Sequence, residues 1–83
     1  MNNPKTFVLS AVQQSNEVHL SWTYEGDFSH FNVYRDGTLI GSTNKTKMFT
    51  DVNTDPYEIY DYKVTEVTFS NESHYSTLRF RLV

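Results

Sequence analysis

The chain has 83 residues, of which 37% are hydrophobic and 16% aromatic, and its formal net charge is −3. This composition fits one folded domain and excludes a disordered segment, because a chain of low hydrophobicity cannot offset the entropy of ordering. The Lys and Arg residues are scattered, so no basic stripe is available to neutralise nucleic-acid phosphates. Since the sequence has no cysteine, disulfides, thiolate zinc sites and cysteine nucleophiles are excluded as well.

The chain also lacks the pattern of a membrane protein. No apolar run approaches the roughly 20 residues that a helix needs to span a bilayer, and the first residues show no charged leader followed by a long apolar stretch. We therefore expect one domain over residues 1–83, with its core in about residues 7–83 and no membrane insertion.

Apolar and polar residues alternate with period two along most of the chain, and no window carries an i, i+3, i+4, i+7 stripe. The pattern predicts an all-β domain of seven antiparallel strands without a helix. The predicted strands, in chain order, are FVLSAVQQ (7–14), EVHLSWT (17–23), HFNVYRD (30–36), TLIGST (38–43), MFTDV (48–52), IYDYKVTEVTF (59–69) and HYSTLRFRLV (74–83).

The same alternation assigns each strand an inward and an outward face. The residues expected to face the core are Leu9, Ala11, Val18, Leu20, Trp22, Phe31, Val33, Tyr60, Tyr62, Val64, Leu78, Phe80 and Leu82. The residues expected to face outward include Asn32, Tyr34, Asp61, Lys63 and Thr65. Pro4, just ahead of the first strand, suits an edge position because it has no amide to donate.

The triplet Arg35-Asp36-Gly37 lies between two predicted strands. Asp-Gly between β-rich runs is a strong hairpin signal, because a primed turn needs positive φ angles that Gly accepts and Asp tolerates. We interpret Asp36 and Gly37 as the turn itself. Arg35 is expected to be an outward or edge cation that pairs locally, so the triplet is a turn and not a recognition motif.

Five strings resemble, in order and spacing, a fibronectin type III domain of the bacterial kind appended to secreted carbohydrate-active enzymes: LSAVQQSNEVHLSW, FNVYRDGTLIGST, FTD, YDYKVTEV and NESHYS. The resemblance covers residues 9–83 and implies a seven-stranded antiparallel immunoglobulin-like β-sandwich. It implies that Trp22 is the core tryptophan of the second strand and that Tyr60 ties the sixth strand to the preceding loop. The loop at residues 52–57 departs from the family pattern, because it is longer and lacks the usual Gly.

Candidate chemical groups are sparse. Glu25 and Asp27 share a predicted loop with His30, but carboxylates that do acid and base work need burial or a neighbouring charge, and a solvated loop offers neither. The histidines His19, His30 and His74 form no spaced cluster of the kind that builds a metal site. We expect no catalytic residue, no metal and no cofactor.

In the fold that the resemblance implies, the loops 24–30 and 69–74 lie at one end of the sandwich, opposite the 35–37 turn and the loop 52–58. Aromatic loop side chains can stack on sugar rings or anchor a protein partner. One hypothesis is therefore a contact site formed by Tyr24, Phe28, Phe69 and His74. The alternative is that Phe28 folds back to cap the core and that Phe69 ends its strand half-buried.

Two functions remain open at this stage. The resemblance implies a non-catalytic accessory, spacer or interaction module of a larger secreted or cell-surface bacterial protein, a glycoside hydrolase in the main interpretation. Its partners would be neighbouring domains of the same chain, and the module would be a monomer. The alternative is a module that binds carbohydrate, or a surface protein in adhesion, through the aromatic loops.

Overall fold

The fold is given by a computed structural model that describes residues 6–68 and 71–83, with the exception of the side chains of Asn71 and Ser73. Within these residues the chain forms seven strands and no helix. The strands are β1 (Phe7–Gln14), β2 (Glu17–Tyr24), β3 (His30–Arg35), β4 (Thr38–Thr43), β5 (Met48–Asp51), β6 (Ile59–Thr68) and β7 (Asn71–Arg81). The predicted all-β class is confirmed, whereas the predicted edge residue Pro4 lies outside the described residues.

The seven strands form two antiparallel sheets that pack as a sandwich. The three-stranded sheet has the order β1-β2-β5, and the four-stranded sheet has the order β4-β3-β6-β7. Each sheet turns one face to the shared core and leaves the other to solvent, as the period-two pattern predicts.

The core is built from the inward residues of both sheets. Val18, Leu20 and Trp22 of β2 are 0%, 1% and 5% exposed, and the Trp22 ring meets the ring of Phe31 on β3 edge-on at 5.4 Å between centroids. Val33, Tyr62 and Val64 are buried in the same cluster, and Tyr60 packs against it while remaining partly exposed. Burial of an aromatic side chain such as Trp22 or Phe31 contributes about 3 to 5 kcal/mol to the free energy of unfolding, a range taken from large-to-small core substitutions.

The Asp36-Gly37 turn has the primed geometry that the sequence predicts, with φ angles of 51° and 84°. Asp36 also fastens the hairpin to β6. Its side-chain Oδ1 accepts the backbone N–H of Asp61 at 2.8 Å, and its own N–H donates to the Asp61 carbonyl at 2.8 Å. The turn is thus held to the centre of the four-stranded sheet.

Several strand ends differ from the prediction by one to three residues, and one residue predicted to face outward is buried. β2 runs through Tyr24, which was expected in a loop, and β7 starts at Asn71 and not at residue 74. In β6 the alternation continues through Glu66, which faces inward, whereas Thr65 is only 2% exposed although it pairs with the outward residues Asn32 and Tyr75. The pairing of β6 with β7 shifts register between Glu66 and Thr68, and such an irregularity re-aims side chains that strict alternation would place elsewhere.

Candidate functional site

Two residues of the predicted aromatic contact site, Tyr24 and Phe28, pack against the core at this end of the sandwich. Tyr24 is 6% exposed and packs edge-on against Phe7, with 5.0 Å between ring centroids. The half-buried Phe28 ring lies 4.5 Å from the Phe31 centroid and 5.4 Å from the ammonium of Lys47. The contacts of Phe28 fit the alternative in which it caps the core.

The structure brings a third residue of that hypothesis, His74, beside Tyr24, with 6.2 Å between the ring centroids. His74 is a residue of β7, and its Nδ1 lies 3.1 Å from Oε1 of Glu66. Phe69 lies outside the described residues. The placement of residues 71–74 in a strand therefore corrects the expectation of a loop there, because the β6–β7 pairing already begins with Thr68 and Asn71.

Behind His74, the Glu66 carboxylate is 2% exposed and accepts three hydrogen bonds. The donors are the Tyr24 hydroxyl at 3.2 Å, the Thr68 hydroxyl and the imidazole of His74. Burial raises the pKa of Glu66, but the three hydrogen bonds together lower it below its ordinary value. Glu66 is therefore an anion that ties β6 to β2 and β7, and both of its oxygens already accept hydrogen bonds.

A second buried carboxylate lies at the opposite end. Asp51, at the end of β5, is 3% exposed, and both of its oxygens accept from Nη1 of Arg35 at 2.8 Å. The hydroxyl of Tyr62 donates to Oδ2 at 2.7 Å. Burial, followed by the hydrogen bond to Asp51, raises the pKa of Tyr62 far above its ordinary value of 10.0.

The position of Arg35 overturns one prediction. Arg35 was expected to be an outward or edge cation that pairs locally, but it points into the sandwich, with its side chain 24% exposed, and pairs with Asp51 of the other sheet. Its guanidinium also lies 5.5 Å from the ring centroid of Tyr60. The physical reason is the register of β3, in which Phe31 and Val33 already point inward and the next residue of that face is Arg35.

The accessible polar cluster of the molecule lies on the outer face of the four-stranded sheet. Here the hydroxyl of Tyr34 donates to the Glu72 carboxylate, 3.0 Å from each oxygen, and the side-chain amide of Asn32 donates to the same carboxylate. The ammonium of Lys63 lies 5.5 Å from the Tyr34 ring centroid and 5.3 Å from that of Tyr75. We call these five residues the sheet-face cluster.

The hydrogen bonds of this cluster set the charge of its members. The bond from Asn32 is the main cause that lowers the pKa of Glu72, and burial opposes it more weakly. Burial, followed by the bond to Glu72, raises the pKa of Tyr34. At neutral pH Glu72 is thus a carboxylate held by hydrogen bonds, and the hydroxyl of Tyr34 keeps its proton.

A groove of about 480 Å³ adjoins the cluster along β6 and β7. Its lining residues are Tyr34, Gly37, Asp61, Tyr62, Lys63, Thr77, Leu78 and Arg79. Across its floor, Nε of Arg79 donates to Oδ1 of Asp61 at 2.8 Å, and both side chains are more than half exposed. The groove is therefore open to solvent and mixes aromatic, apolar and paired charged groups.

The remaining candidates form no reactive site in the structure. Glu25 and Asp27 are exposed, and the ring of His30 is within 3.2 Å of the hydroxyl of Ser29. In the described residues no group of three or more His, Cys, Asp or Glu side chains could hold a metal ion. A search of residues 6–68 and 71–83 also finds no helix that could cross a membrane.

Glu66 and Arg35 could have been placed from the sequence, because each continues the inward face of a strand that alternation had already assigned, whereas no inward face was assigned to the strand that ends with Asp51. The sheet-face cluster could not, since it joins residues of β3, β6 and β7 that become neighbours only in the observed strand order.

Comparison with known proteins shows what the fold is similar to. No protein-family model and no curated protein matches the sequence. Among solved structures, the pectate lyase Pel3 from Pectobacterium carotovorum matches with a TM-score of 0.70 and 28% identity, over 89% of this chain and 24% of that one. The spore cortex lytic enzyme SleM from Clostridium perfringens matches with a TM-score of 0.69 and 14% identity, over 94% of this chain and 27% of that one. The chain thus spans about a quarter of each neighbour, and both neighbours are carbohydrate-active enzymes.

Proposed function

We propose that the chain is a non-catalytic accessory module of a larger, secreted or cell-surface bacterial enzyme that acts on polysaccharide, a glycoside hydrolase or a related carbohydrate-active enzyme. The observation that carries the proposal is the match of nearly the whole chain to about a quarter of a pectate lyase at 28% identity. A domain of this size within a longer enzyme leaves most of that enzyme to do the chemistry. The names of both neighbours, which act on pectate and on the spore cortex, also favour a location outside the cell.

We assign the module to the fibronectin type III kind of immunoglobulin-like sandwich. The sheet orders β1-β2-β5 and β4-β3-β6-β7 support this assignment. So does Tyr60, whose hydroxyl accepts the backbone N–H of Asp55 at 3.0 Å. A tyrosine that bonds back to the backbone a few residues upstream is a hallmark of this class of sandwich.

The proposal that the module is not an enzyme rests on its buried carboxylates. Asp51 and Glu66 are the groups whose burial could tune a catalytic acid or base, yet their oxygens are occupied by Arg35, Tyr62, Tyr24 and His74. Catalytic groups need lone pairs or protons directed at a cleft where substrate can enter. Both carboxylates instead connect the two sheets inside the sandwich.

The partner that we propose is a neighbouring domain of the same chain, with the module itself monomeric. The outer face of the three-stranded sheet carries the apolar side chains of Val8, Val12 and Met48, which are 53%, 60% and 67% exposed. Exposed apolar side chains that share one sheet face suit contact with another domain. A module in this position would hold the catalytic domain at a set distance or stabilise it directly.

The test compares the full-length parent enzyme with a variant that lacks residues 6–83. We expect equal rates on a short soluble substrate, and a loss of thermal stability or of activity on the insoluble polymer in the variant. Release of sugar from a polysaccharide by the 83-residue chain alone would overturn the proposal. A reading frame that encodes no carbohydrate-active domain beside the module would overturn it too.

A further inference from the structure

The outer face of the four-stranded sheet has the arrangement of a carbohydrate platform. Tyr34 on β3 and Tyr75 on β7 lie on either side of the central strand β6, opposite Lys63 and Thr65 respectively. The Lys63 ammonium lies within 5.5 Å of both ring centroids, so the two rings are no more than about 11 Å apart, a distance that two linked sugar rings can span. Tyr75 is 62% exposed, so the part of its ring that Lys63 does not cover can receive a sugar face.

The polar groups beside these rings are held in place before any ligand arrives. Glu72 is fixed by Tyr34 and Asn32, and the Oδ1 of Asn32 accepts in turn from the hydroxyl of Ser42 at 2.7 Å. Lys63 is positioned over both tyrosine rings. Pre-arranged donors and acceptors bind a ligand with a smaller entropic cost, and sugar hydroxyls both donate and accept.

The chemistry of this face favours a glycan over a protein partner. Protein interfaces have an apolar centre depleted of charge, whereas the centre of this face holds Lys63 and Glu72. The exposed apolar side chains Val8, Val12 and Met48 lie instead on the outer face of the other sheet. The two faces are therefore chemically distinct, and the aromatic and polar one suits a hydroxyl-rich ligand.

Charge further selects the kind of glycan. The cations Lys63 and Arg79 are balanced by the anions Glu72 and Asp61 across the cluster and its groove, and the whole chain carries −3. A polyanion such as a uronic-acid polymer would gain little from the face and would be repelled by the chain as a whole. An uncharged polysaccharide is not repelled by the net negative charge of the protein.

We infer that the sheet-face cluster, Asn32, Tyr34, Lys63, Glu72 and Tyr75, is a binding site for an uncharged polysaccharide strand. This inference rests on the proposed function and deepens it, because it gives the accessory module a contact with the polymer that the parent enzyme acts on. The polysaccharide lies across β6, stacks on Tyr75 and Tyr34, and continues into the groove beside Thr77 and Arg79. The inference also moves the aromatic contact from the loop end to a sheet face.

The test titrates the 83-residue chain with soluble uncharged glucans, galactans and N-acetylglucosamine oligomers, and with polygalacturonate as the charged counterpart. We expect backbone amide shifts in β3, β6 and β7 with at least one uncharged glycan and weaker binding of polygalacturonate. Tyr75→Ala should lower the association constant about ten-fold or more. Tyr57→Ala, at a tyrosine that is 80% exposed away from this face, should leave it unchanged.

Thermal melts will check that both variants fold. Lys63→Met is a second variant of the cluster, for which we expect a similar loss in the association constant. No shift on this face with any uncharged glycan, tighter binding of polygalacturonate, or an equal effect of the two tyrosine variants would overturn the inference. The accessory role and the glycan site can be overturned independently of each other. If deletion of residues 6–83 impairs the parent enzyme on its polymer while Tyr75→Ala does not, the accessory role stands and the glycan site falls.

Discussion

The two ends of the sandwich use the same construction with different partners. At one end Asp51 of the three-stranded sheet accepts from Tyr62 of the four-stranded sheet, and at the other end Glu66 of the four-stranded sheet accepts from Tyr24 of the three-stranded sheet. Each end thus joins the sheets through a buried carboxylate and a tyrosine hydroxyl. A sandwich with a small core gains from such ties, because they add polar contacts between the two sheets to the apolar contacts of the core.

The two ends differ in the nitrogen-containing side chain that contacts the carboxylate in addition to the tyrosine. Asp51 faces the guanidinium of Arg35, which is charged at every pH that the fold meets, while Glu66 faces the imidazole of His74, which is charged only when protonated. The Arg35 side chain is 24% exposed and that of His74 is 50% exposed. The Asp51 end therefore has a permanent cation, whereas two of the three donors to Glu66 are uncharged hydroxyl groups.

The largest expected effect on stability comes from breaking the buried Arg35–Asp51 pair. Arg35→Met leaves the Asp51 carboxylate buried without its cation, which should lower the free energy of unfolding by about 3 to 5 kcal/mol. Urea titration followed by the fluorescence of Trp22, the single tryptophan, measures the loss. The matched control is Arg79→Met, which breaks the exposed Arg79–Asp61 pair and should change stability little. Equal losses in the two variants would show that burial does not govern the strength of these pairs.

The tyrosine hydroxyls allow a direct comparison of the two ends. Tyr62→Phe removes a 2.7 Å bond to Asp51, and Tyr24→Phe removes a 3.2 Å bond to Glu66. Because hydrogen bonds to charged groups are worth more when they are short and buried, we expect losses of about 2 and about 1 kcal/mol respectively. The same urea titration orders the two variants. A larger loss for Tyr24→Phe would reverse the ranking of the two ends.

Most residues at the two ends of the sandwich could be placed from the sequence, whereas the sheet-face cluster could not. Alternation placed Trp22, Val33 and Val64 in the core, and it would equally have placed Arg35 inward if charge had not argued for solvent. Buried charges are rare, so a reader of sequence expects them outside. The pairing of Arg35 with Asp51, 16 positions along the chain, is a tertiary contact that overrides this expectation.

The misplacement of Tyr24 and of residues 71–74 has a different cause. Strand ends are set by hydrogen-bonded pairing with a neighbour, and local composition records that pairing poorly. Tyr24 stays in β2 because it pairs with Phe7 of β1.

A smaller effect is expected at the turn beside the Asp51 end. Gly37 has a φ of 84°, and a Cβ there would meet no atom within 4 Å, so the cost of Gly37→Val is backbone strain alone. We expect a loss of about 1 to 2 kcal/mol in thermal or urea unfolding. Gly37→Asn is the control, since Asn tolerates positive φ and should lose much less. Equal stability of the two variants would mean that the turn relaxes away from its primed geometry.

The smallest effect concerns the response of the Glu66 end to acid. Burial raises the pKa of Glu66, but hydrogen bonds from Thr68, His74 and Tyr24 bring it below its ordinary value of 4.5. A carboxyl with a lower pKa in the folded chain than in the unfolded chain stabilises the fold above pH 4.5. That contribution disappears as the pH falls through the folded-state value. Melting temperatures should therefore fall on acidification below pH 4.5, and Glu66→Gln should reduce the slope.

The slope will not vanish in that variant, because the pKa of Glu72 and of Asp61 is also lowered in the fold, by Asn32 and by Arg79 respectively. Glu72→Gln provides the matched control on the surface, where exposure weakens the same hydrogen bonds and the change in slope should be smaller. If Glu66→Gln and the unmodified chain lose stability in parallel between pH 5 and pH 3, roughly the range over which carboxyls titrate, then Glu66 is not held as an anion. In that case the two ends would differ in more than their cation, because Asp51 alone would act as a charged tie between the sheets.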